Sequence, residues 1–382
     1  MSPTVLFVSK PVDPPNNDGT KHVVLTLAQH LCRYQARVMT TRLVRHIAEG
    51  IEVEPIYESA SSYAPSLRNN LRAVRHLALG PKSSIWNFVF APNSRSSQMG
   101  RWLKALKRTP VVQTIASRPR EFEPISSLLF GDVIVAQSRD TRDRVLSSWA
   151  DQAGPKATPP RVEVILPPLG AVTIPTMDDT HRVRNHLGLG PDVPILLYPG
   201  DLEVSHGARL VKAAAVVIAQ RHPTATVVFA YRDKTPRAAE LAAELKRELN
   251  PQRVRLVREA RDILALVRTS AAVLFPVDDL YGKIDIPIIL LQAMALSTPI
   301  VTYDHGPLAD LGGVEVVRAG DPFALADAGL ALIDEHGRRG RCIEAQMRAV
   351  EANHNAARAA AAYERLYDDL LAGSAGRANS DS

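Results

Sequence analysis

The residues best suited to chemistry surround one apolar segment in the second half of the chain. A loop that carries Lys283 and Asp285 leads into Ile286–Leu296, which is apolar except for Pro287 and the side chain of Gln292. The first turn of a helix binds anions, because its free N–H groups and its dipole both favour negative charge. A polar side chain within an apolar helix needs a hydrogen-bond partner, which a ligand hydroxyl can supply. The segment therefore predicts either a ligand-binding helix or a buried helix whose glutamine bonds to its own backbone.

Three further loops follow predicted strands and are candidates for holding a phosphorylated ligand: Asn16–Lys21, Pro199–Gly207 and Tyr231–Thr235. Gly19 permits a ligand to approach the backbone closely, and the adjacent helix start offers free N–H groups. Arg232 and Lys234 place two cations just beyond a strand, although cations on such loops are often simply solvated. Neither half contains G-x-G-x-x-G or G-x-x-x-x-G-K, which disfavours ordinary dinucleotide or nucleoside triphosphate binding.

The elements that must position these residues alternate between strands and helices. Strands are predicted at Val5–Ser9, Arg37–Thr41, Ile85–Phe90, Val111–Ile115, Val133–Gln137, Ile195–Tyr198, Thr226–Ala230, Val254–Leu256, Ala272–Phe275, Pro299–Thr302 and Val314–Val317. Helices are predicted at Thr20–Tyr34, Arg139–Trp149, Gly207–Gln220, Arg237–Leu249, Ile263–Thr269, Pro287–Ala295, Pro322–Glu335 and Glu344–Leu371, the last with a break near 353–355. This alternation predicts an α/β protein with parallel sheets covered by helices on both faces.

Chain length predicts two domains, because 382 residues exceed what one hydrophobic core usually holds. A stretch rich in Pro, Thr and Asp at 167–180 predicts the linker between a first domain at 1–170 and a second at 181–355. The helix at about 356–372 is expected to return and pack on the first domain. Two doubly wound domains of this kind place a ligand where the carboxyl ends of their strands meet.

Composition indicates an ordinary globular protein, and its diffuse positive charge suits a small anionic substrate as well as a nucleic acid or a membrane. The net charge is +6, but the cations read as interleaved with acids, and aromatic residues are 5%, too few for a base-stacking platform. Nucleic acid is therefore not expected as a partner. Cys32 and Cys342 lack metal or redox spacing, which fits a reducing cytoplasm, and no Asp-x-Asp pair or histidine cluster indicates a metal. No segment approaches a membrane span, so stable membrane insertion is not expected.

Several segments taken together resemble a known enzyme family. In the second half these are LYPGDLEVSHGARLVKAA, VRLVREARDILALVRTSAAVLFP and IPIILLQAMALSTPIVTYDHGPLADL; in the first half they are PPNNDGTKHVVLTLAQHL, GDVIVAQSRDTRDRVL and RVEVILPPLGAV. These segments resemble the GT-B glycosyltransferases, specifically the family-four group of retaining enzymes that use nucleotide sugars. The resemblance implies two Rossmann-like doubly wound domains facing each other across a cleft. The first would bind the acceptor and the second the donor.

The resemblance also implies the reaction and its residues. It implies metal-independent transfer of a sugar from a UDP- or GDP-sugar, used as substrate without a cofactor, to a small-molecule or lipid-linked acceptor with retention of configuration. Residues expected at the reacting centre are Asp18, Gly19, Arg232, Lys234, Lys283 and Asp285. Residues expected to bind the donor are Gly200, Asp201, His206, Arg232, Lys234, Glu259, Ala260, Arg261, Ile263, Tyr281, Lys283, Ile284, Ile288 and Gln292. A homodimer is compatible with the sequence.

The sequence departs from the family pattern at the two glutamates of the signature. The family carries Glu, seven residues, then Glu, whereas this chain has Ile284 and Gln292 at those positions. Gln292 can still hydrogen-bond a ribose hydroxyl, because an amide both accepts and donates. Asp285 or Asp279 is a candidate for the missing carboxylate. A histidine that family members place near the sugar is here Ala116.

A second departure concerns the cations that hold the diphosphate. The family uses an Arg and a Lys in the loop that follows the first strand of the second domain, and this chain has Asp201 and His206 there. A buried diphosphate needs compensating positive charge. Arg232, Lys234 and Lys283 are predicted to supply it from neighbouring loops.

Two rival functions remain compatible with these departures. One is a degenerate GT-B protein that binds a nucleotide sugar as a partner or regulator without transferring the sugar. The other is a pseudo-glycosyltransferase or a sugar phosphorylase on the same fold. Slow release of nucleoside diphosphate by the pure protein would distinguish an enzyme from a binding protein.

Overall fold

The chain folds into two compact units in a computed structural model that describes residues 2–14, 18–59, 65–122, 124–153 and 157–380, with the backbone alone for 374–380. Unit 1 comprises Met1–Gly170, Tyr281–Ile288 and His354–Ser382, and unit 2 comprises Ala171–Leu280 and Ile289–Asn353. The partition differs from the predicted domain boundaries at Tyr281–Ile288, which lies with unit 1. The chain therefore leaves unit 2 at Leu280 and re-enters it at Ile289.

The strands and helices alternate along both units, as the sequence pattern predicts. The strands are β1 Thr4–Val8, β2 Gln35–Thr41, β3 Ile51–Tyr57, β4 Ile85–Phe90, β5 Val111–Ile115, β6 Val133–Ala136, β7 Val162–Val164, β8 Ile195–Pro199, β9 Thr226–Tyr231, β10 Val254–Arg258, β11 Ala272–Phe275, β12 Ile300–Tyr303 and β13 Glu315–Val317. The α-helices are α1 Gly19–His30, α2 Leu67–Leu79, α3 Ser94–Lys107, α4 Ile125–Leu128, α5 Arg139–Ala153, α6 Met177–His186, α7 Gly207–Arg221, α8 Arg237–Glu248, α9 Ile263–Thr269, α10 Ile288–Ala295, α11 Pro322–Asp334, α12 His336–Asn353 and α13 Ala356–Ser380.

Each unit is built on one parallel sheet with the strand order of a doubly wound fold. The order is β3-β2-β1-β4-β5-β6-β7 in unit 1 and β10-β9-β8-β11-β12-β13 in unit 2. The central strands are buried and almost wholly apolar, which is typical of parallel sheets covered on both faces. The order reverses between β1 and β4 and between β8 and β11, so the loops after these strands flank the switch point where such sheets bind ligands. The predicted α/β class with two Rossmann-like domains is confirmed.

The elements that sequence reasoning missed have weak or mixed patterns. Edge strand β3 has the sequence IEVEPIY, whose charges and proline hide its alternation. Helix α6 begins inside the predicted linker, where Thr176 and Asp179 form a capping box around its first turn. The spacing of this box, Thr-x-x-Asp, was the sequence signal for that helix start. Helices α2 and α3 were also missed, although both are amphipathic.

The terminal helix α13 is an integral part of unit 1. Ala360, Tyr363 and Tyr367 are fully buried in the same cluster as β1 and α1 residues. The Tyr367 hydroxyl accepts a hydrogen bond from Asn87 Nδ2 at 2.8 Å, and the Tyr363 hydroxyl bonds with Thr114 Oγ1 at 3.0 Å. Burial raises the pKa of both phenols, so they remain neutral and able to hydrogen-bond. Helix α13 thereby closes the face of the unit 1 sheet that α1 also covers.

Replacing Glu364 by alanine is expected to lower the free energy of unfolding of unit 1 by about 2 kcal/mol. The carboxylate of this buried side chain accepts from the backbone N–H groups of Cys32 and Arg33, each at 2.7 Å, and pairs with the Arg33 guanidinium. Its loss leaves two N–H groups at the end of α1 without their acceptor. Urea denaturation measures the change, with exposed Glu49→Ala of unit 1 as the control expected to change little. Equal stability of the two variants would contradict the prediction.

Candidate functional site

The switch point of the unit 2 sheet brings together two polar residues from loops distant in sequence. Strands β8 and β11 pair in parallel, so the loops that follow them lie side by side. His206, at the start of α7, donates its backbone N–H to Asp278 Oδ1 at 2.9 Å, and its ring Nδ1 lies 2.7 Å from Asp278 Oδ2. Asp278 therefore fixes both the backbone and the ring orientation of His206.

Hydrogen bonding from His206 favours the ionised form of Asp278. Burial tends to raise the pKa of Asp278, but the hydrogen bonds from the His206 ring and backbone outweigh it and lower that pKa below its ordinary value. An ionised Asp278 accepts a proton-bearing Nδ1, which assigns the remaining ring nitrogen, Nε2, to solvent or a ligand. The His206 side chain is 71% exposed, so Nε2 is accessible.

A pocket of about 520 Å³ opens beside this pair, and Arg209 lines it together with His206, Asp278 and Tyr303. Arg209 is exposed in the first turn of α7 and makes no side-chain hydrogen bond or ion pair with another described residue. The N-cap His206 makes no side-chain cap bond to that turn. The pocket thus combines an accessible guanidinium and a helix N-terminus, a combination suited to an anion, beside the exposed imidazole of His206. The sequence did not indicate Arg209, because the family carries its diphosphate-binding cations in the preceding loop, at the positions of Asp201 and His206.

Asp201, in the loop between β8 and α7, forms an ion pair with Lys234, in the loop after β9. Lys234 Nζ lies 3.2 Å from Asp201 Oδ2, and the Asp201 side chain is 2% exposed. Asp201 Oδ1 also accepts from Val204 N at 2.9 Å. Lys234 was predicted as a substitute cation for a diphosphate, but in this structure its charge compensates a buried carboxylate.

The glycine and the glutamate of the loop have structural roles. A Cβ on Gly200 would lie 2.5 Å from the Tyr198 ring, so a larger residue would displace that ring. The Tyr198 hydroxyl donates to Asp201 O at 2.7 Å. Glu203 Oε1 accepts from the backbone N–H groups of Lys234 and Thr235, each at 2.8 Å. These contacts hold the loops after β8 and β9 in a fixed geometry.

The predicted base-binding segment follows β10 and contains a strained residue. Glu259 has φ of +50°, although its backbone N–H donates to Tyr231 O at 2.7 Å. The left-handed backbone conformation strains a non-glycine residue by roughly 1–3 kcal/mol, and such residues are often found at ligand sites. Ala260 is half-buried, Arg261 is exposed, and Ile263 begins α9 as a half-buried side chain. The exposed Arg232 lies on the neighbouring loop after β9, in the same unit.

The signature helix α10 begins at Ile288, one residue later than predicted, with Pro287 immediately before it. Gln292 is half-buried and its side chain makes no hydrogen bond to another described residue. The back-bonded glutamine considered from the sequence is therefore not observed, and the amide remains able to bind a ligand hydroxyl.

The residues at 281–288 are held within unit 1. Asp285 is fully buried, where its Oδ2 accepts from Ser138 Oγ at 2.6 Å and its Oδ1 lies 3.7 Å from Arg118 Nε. Asp285 was predicted as the carboxylate that replaces a signature glutamate at a ligand, whereas here it serves the packing of unit 1. Neither Ser138 nor Arg118 was predicted as its partner, and no spacing in the sequence indicates them.

Gly19 lies against the buried side chain of Ile284. Ile284 is 2% exposed within the unit 1 core, and a Cβ on Gly19 would lie 3.0 Å from its side-chain atoms. The close approach that Gly19 permits is therefore by Ile284, where the sequence predicted a ligand. Ile288 packs against the same core.

Asp18 caps the first helix of unit 1. Its Oδ1 accepts from Thr20 N at 2.9 Å, and its Oδ2 pairs with Lys10 Nζ at 2.6 Å. The predicted catalytic position is thus an N-cap residue with a paired charge. Asn16 and Asn17 of the same predicted loop lie outside the described residues.

Two further predicted donor residues lie in unit 1. The Arg120 guanidinium sits 4.7 Å from the centre of the Tyr281 ring in a cation–π contact. Lys283 is half-buried. The predicted residues thus divide between the units: Gly200, Asp201, His206, Arg232, Lys234, Glu259, Ala260, Arg261, Ile263 and Gln292 in unit 2, and Asp18, Gly19, Tyr281, Lys283, Ile284, Asp285 and Ile288 in unit 1.

Within the described ranges, no three His, Cys, Asp or Glu side chains are grouped so as to hold a metal ion. In the same ranges, no helix combines the length and the apolar character needed to cross a membrane.

Comparison with known proteins gives one family match and a set of similar folds. Residues 193–335 match the family model described as glycosyl transferases group 1. No curated protein matches the sequence. HepE of Anabaena, in a complex with UDP-glucose, is similar with a TM-score of 0.70 and 14% identity, covering 97% of this chain and 99% of that one.

Two other solved structures are similar over the same extent. Sucrose-phosphate synthase of Thermosynechococcus elongatus has a TM-score of 0.69 and 16% identity, covering 97% of this chain and 100% of that one. The catalytic domain of starch synthase IV of Arabidopsis thaliana, bound to ADP and acarbose, has a TM-score of 0.70 and 13% identity, covering 97% and 99%. The chain therefore has the GT-B fold, and its residues 193–335 match the model of the glycosyl transferases group 1 family.

Proposed function

We propose that the protein is a glycosyltransferase that moves a sugar from a UDP- or GDP-sugar to a small-molecule or lipid-linked acceptor. The observation that carries the proposal is the pocket at the switch point of unit 2, lined by Arg209 and His206 within the region that matches the family model. HepE, whose fold is similar, was solved with UDP-glucose, and starch synthase IV with ADP. Unit 2 is accordingly the donor-binding unit and unit 1 the acceptor-binding unit. We place the reaction in the cytoplasm, where the unpaired thiols of Cys32 and Cys342 remain reduced.

The diphosphate of the donor would lie at the start of α7. A diphosphate needs full positive charge when it is partly desolvated, and a helix N-terminus supplies only a partial charge. Arg209 adds a guanidinium that can contact phosphate oxygens in a bidentate manner. In its imidazolium form, His206 would add an Nε2–H donor while its Nδ1–H is donated to Asp278.

The rest of the donor would extend over the neighbouring loops of unit 2. The free amide of Gln292 suits a ribose hydroxyl, and the strained backbone at Glu259 suits the edge of a base. Arg232, Lys234 and Lys283 were predicted as the substitute cations. Because Lys234 compensates Asp201, Arg209 is the stronger candidate, with Arg232 on the adjacent loop as a second cation.

Transfer of the sugar requires that the negative charge of the leaving diphosphate be stabilised, which the cations and the helix N-terminus would do. Departure of a nucleoside diphosphate leaves an oxocarbenium-like sugar, and fixed donors aimed at the leaving oxygens stabilise that charge. We propose retention of configuration, in which the acceptor attacks from the leaving-group face and a phosphate oxygen takes its proton. This route requires neither a metal ion nor a protein base, and it is compatible with Ala116 in place of a histidine.

A binding protein without transferase activity is the second candidate. The observation that favours it is Asp201, a buried carboxylate that takes up the charge of Lys234 at a position where the family has a cation. In that case unit 2 would bind the nucleotide sugar as a signal. Release of nucleoside diphosphate from a hydrolysable donor distinguishes the two functions.

Replacing Arg209 by alanine is expected to weaken nucleoside diphosphate binding roughly ten- to a hundredfold, as the loss of a charge-assisted hydrogen bond does. Calorimetric titration with UDP and GDP measures the affinity, and release of diphosphate from their sugars measures turnover. Hydrogen exchange should show protection by the nucleotide at 200–209 and 259–263.

Arg268→Ala is the matched control, because this exposed arginine on α9 of unit 2 lies outside the pocket. Binding by Arg209→Ala within twofold of that control would refute the assignment. If His206→Ala alone abolishes binding, the histidine carries the phosphate. Protection confined to residues before 150 would assign the nucleotide to unit 1 and contradict the proposed donor unit.

A further inference from the structure

Two neighbouring helices of unit 1, α2 and α3, expose large apolar side chains that no described residue covers. These side chains are each between 40% and 76% exposed: Leu67, Leu71, Leu79, Met99, Trp102 and Leu106. Single exposed apolar residues are normal on a protein surface, but a group on adjacent helices indicates a binding surface. The two helices contact each other. We call these apolar residues and the cations between them the α2–α3 face.

Helical geometry places the apolar residues of α3 on one flank. Met99, Trp102 and Leu106 are spaced i, i+3 and i+7, so they lie along the same side of the helix. The opposite flank is used for packing on α4, where Ser97 Oγ donates to Leu128 O at 2.8 Å and Arg101 donates to Leu129 O at 3.0 Å. The exposed apolar residues of α3 therefore lie on the flank away from α4.

Two of the three exposed leucines of α2 lie on the side of the helix that is turned away from β3. Leu67 and Leu71 are four residues apart and share a side of the helix. The side of α2 that faces the edge strand β3 carries Arg72, which pairs with Glu58, and His76, whose Nε2 lies 3.3 Å from Glu54. Leu67 and Leu71 are therefore turned away from the side of α2 that faces β3.

The charge of this region is entirely positive. Residues 59–120 contain no Asp or Glu and eleven Lys or Arg. The net charge of the whole chain is +6, so the remainder of the chain is net negative. The interleaving of cations and acids expected from the sequence fails in this segment, which supplies the basic character of the protein.

Most cations of the α2–α3 face are not used within the fold. Arg72 and Lys104 pair with Glu58 and Asp132, acids that lie outside the acid-free segment. Arg101 donates to the backbone carbonyls of Ser126 and Leu129. The other cations make no side-chain hydrogen bond or ion pair with a described residue: Arg68, Arg75, Lys82, Arg95, Lys107 and Arg108. Cations that stabilise nothing inside the fold, set around an apolar surface, have the pattern of a contact with an anionic and partly apolar partner.

We propose that the α2–α3 face binds the surface of a membrane that contains anionic lipids. Leucine, methionine and tryptophan side chains enter the boundary between headgroups and acyl chains, and the surrounding cations meet the lipid phosphates. Each cation near such a surface contributes roughly a fivefold gain in binding. A nucleic acid would match the charge but not the aliphatic residues, and Trp102 alone is no stacking platform. The contact is peripheral, since α2 and α3 are integral helices of unit 1.

The proposal goes beyond the proposed transfer and selects among its acceptors. A membrane-bound unit 1 would favour a lipid-linked acceptor, and this clause alone rests on the proposed function. Vesicle binding needs neither donor nor acceptor. Its failure therefore leaves the donor site of unit 2 untouched, and failure of donor binding leaves the membrane face untouched.

Co-sedimentation of the full chain with vesicles tests the proposal. We expect binding to vesicles of equal parts phosphatidylcholine and phosphatidylglycerol, weakened by salt, and little binding to phosphatidylcholine alone. The double variant Arg75→Gln, Lys107→Gln should bind the anionic vesicles roughly thirtyfold more weakly. Lys246→Gln, Arg268→Gln removes the same charge from exposed positions of unit 2 and should bind like the unaltered protein.

The apolar part has its own matched pair. Trp102→Ala, Leu106→Ala should weaken binding about tenfold or more, because both side chains leave the interface. Phe323→Ala, Met347→Ala removes comparably exposed residues from unit 2 and should have no effect. Tryptophan emission of the unaltered protein should shift to shorter wavelength with anionic vesicles, and Trp102→Phe should lose that shift.

Three results would overturn the proposal. One is equal binding to neutral and anionic vesicles. Another is the same loss of binding in the test variants and their controls. The third is absence of vesicle binding together with tight binding of single-stranded RNA, or with a dimer that Trp102→Ala, Leu106→Ala dissociates, which would assign the face to a nucleic acid or to a second copy of the chain.

Discussion

Replacing Asp285 by alanine is expected to lower the free energy of unfolding of unit 1 by about 3–5 kcal/mol, the usual cost of breaking a buried ion pair. The carboxylate is fully buried, accepts from Ser138 Oγ at 2.6 Å and lies 3.7 Å from the Arg118 Nε. Its removal leaves a partly buried guanidinium with less compensating charge and deprives the Ser138 hydroxyl of its acceptor. Urea denaturation with hydrogen exchange at β5 and β6 measures the effect.

Asp279→Ala is the matched control, because this exposed carboxylate in the same loop was the other candidate to replace a signature glutamate. Because Asp279 belongs to unit 2, its replacement is expected to change the free energy of unfolding of unit 1 by less than about 0.5 kcal/mol. Ser138→Ala removes two hydrogen bonds, the one donated to Asp285 and the one accepted from Thr141 N, and should cost about 1–3 kcal/mol. If Asp285→Ala keeps its stability and loses nucleotide binding instead, the carboxylate faces the ligand, as the sequence predicted.

Sequence patterns could predict the fold class but not the hydrogen-bond partner of Asp285. The α/β class was predictable because parallel strands are buried on both faces and appear as short apolar runs, such as IWNFVF and VVFAY. The partner of Asp285 was not predictable, since Ser138 lies 147 residues away and its spacing indicates nothing. Gly19 was predicted to permit close approach of a ligand, and the group that lies against it in the structure is the Ile284 side chain.

The sequence could predict which loops form the candidate site, but not which of their side chains are available to a ligand. The loop before α7 was identified from its position after a strand, and the structure places His206 of that loop on a pocket. Arg209 was overlooked because it lies inside the helix, where a cation usually indicates a solvated surface. The choice between a free and a committed Lys234 depended on the burial of Asp201, which a sequence does not reveal.

Replacing Lys234 by methionine is expected to lower the free energy of unfolding of unit 2 by about 3 kcal/mol. The Asp201 side chain is 2% exposed and its charge is compensated by Lys234 Nζ at 3.2 Å. Methionine keeps much of the length of lysine but leaves the carboxylate charge without that partner. Hydrogen exchange at β8 and β9 during urea denaturation reports the stability of the unit.

Combining Lys234→Met with Asp201→Asn separates a structural role for Lys234 from a role at the diphosphate. Asparagine can still accept from Val204 N, and it carries no charge, so the double variant should recover about 2 kcal/mol of the loss. If Lys234 serves only Asp201, the double variant should bind nucleoside diphosphate within about twofold of the unaltered protein. If it recovers stability but binds the nucleotide tenfold more weakly, Lys234 contacts the diphosphate as well. The charge of Asp201 would then be a device that holds Lys234 in place for the ligand, because a lysine oriented by a buried carboxylate has less conformational entropy to lose on binding.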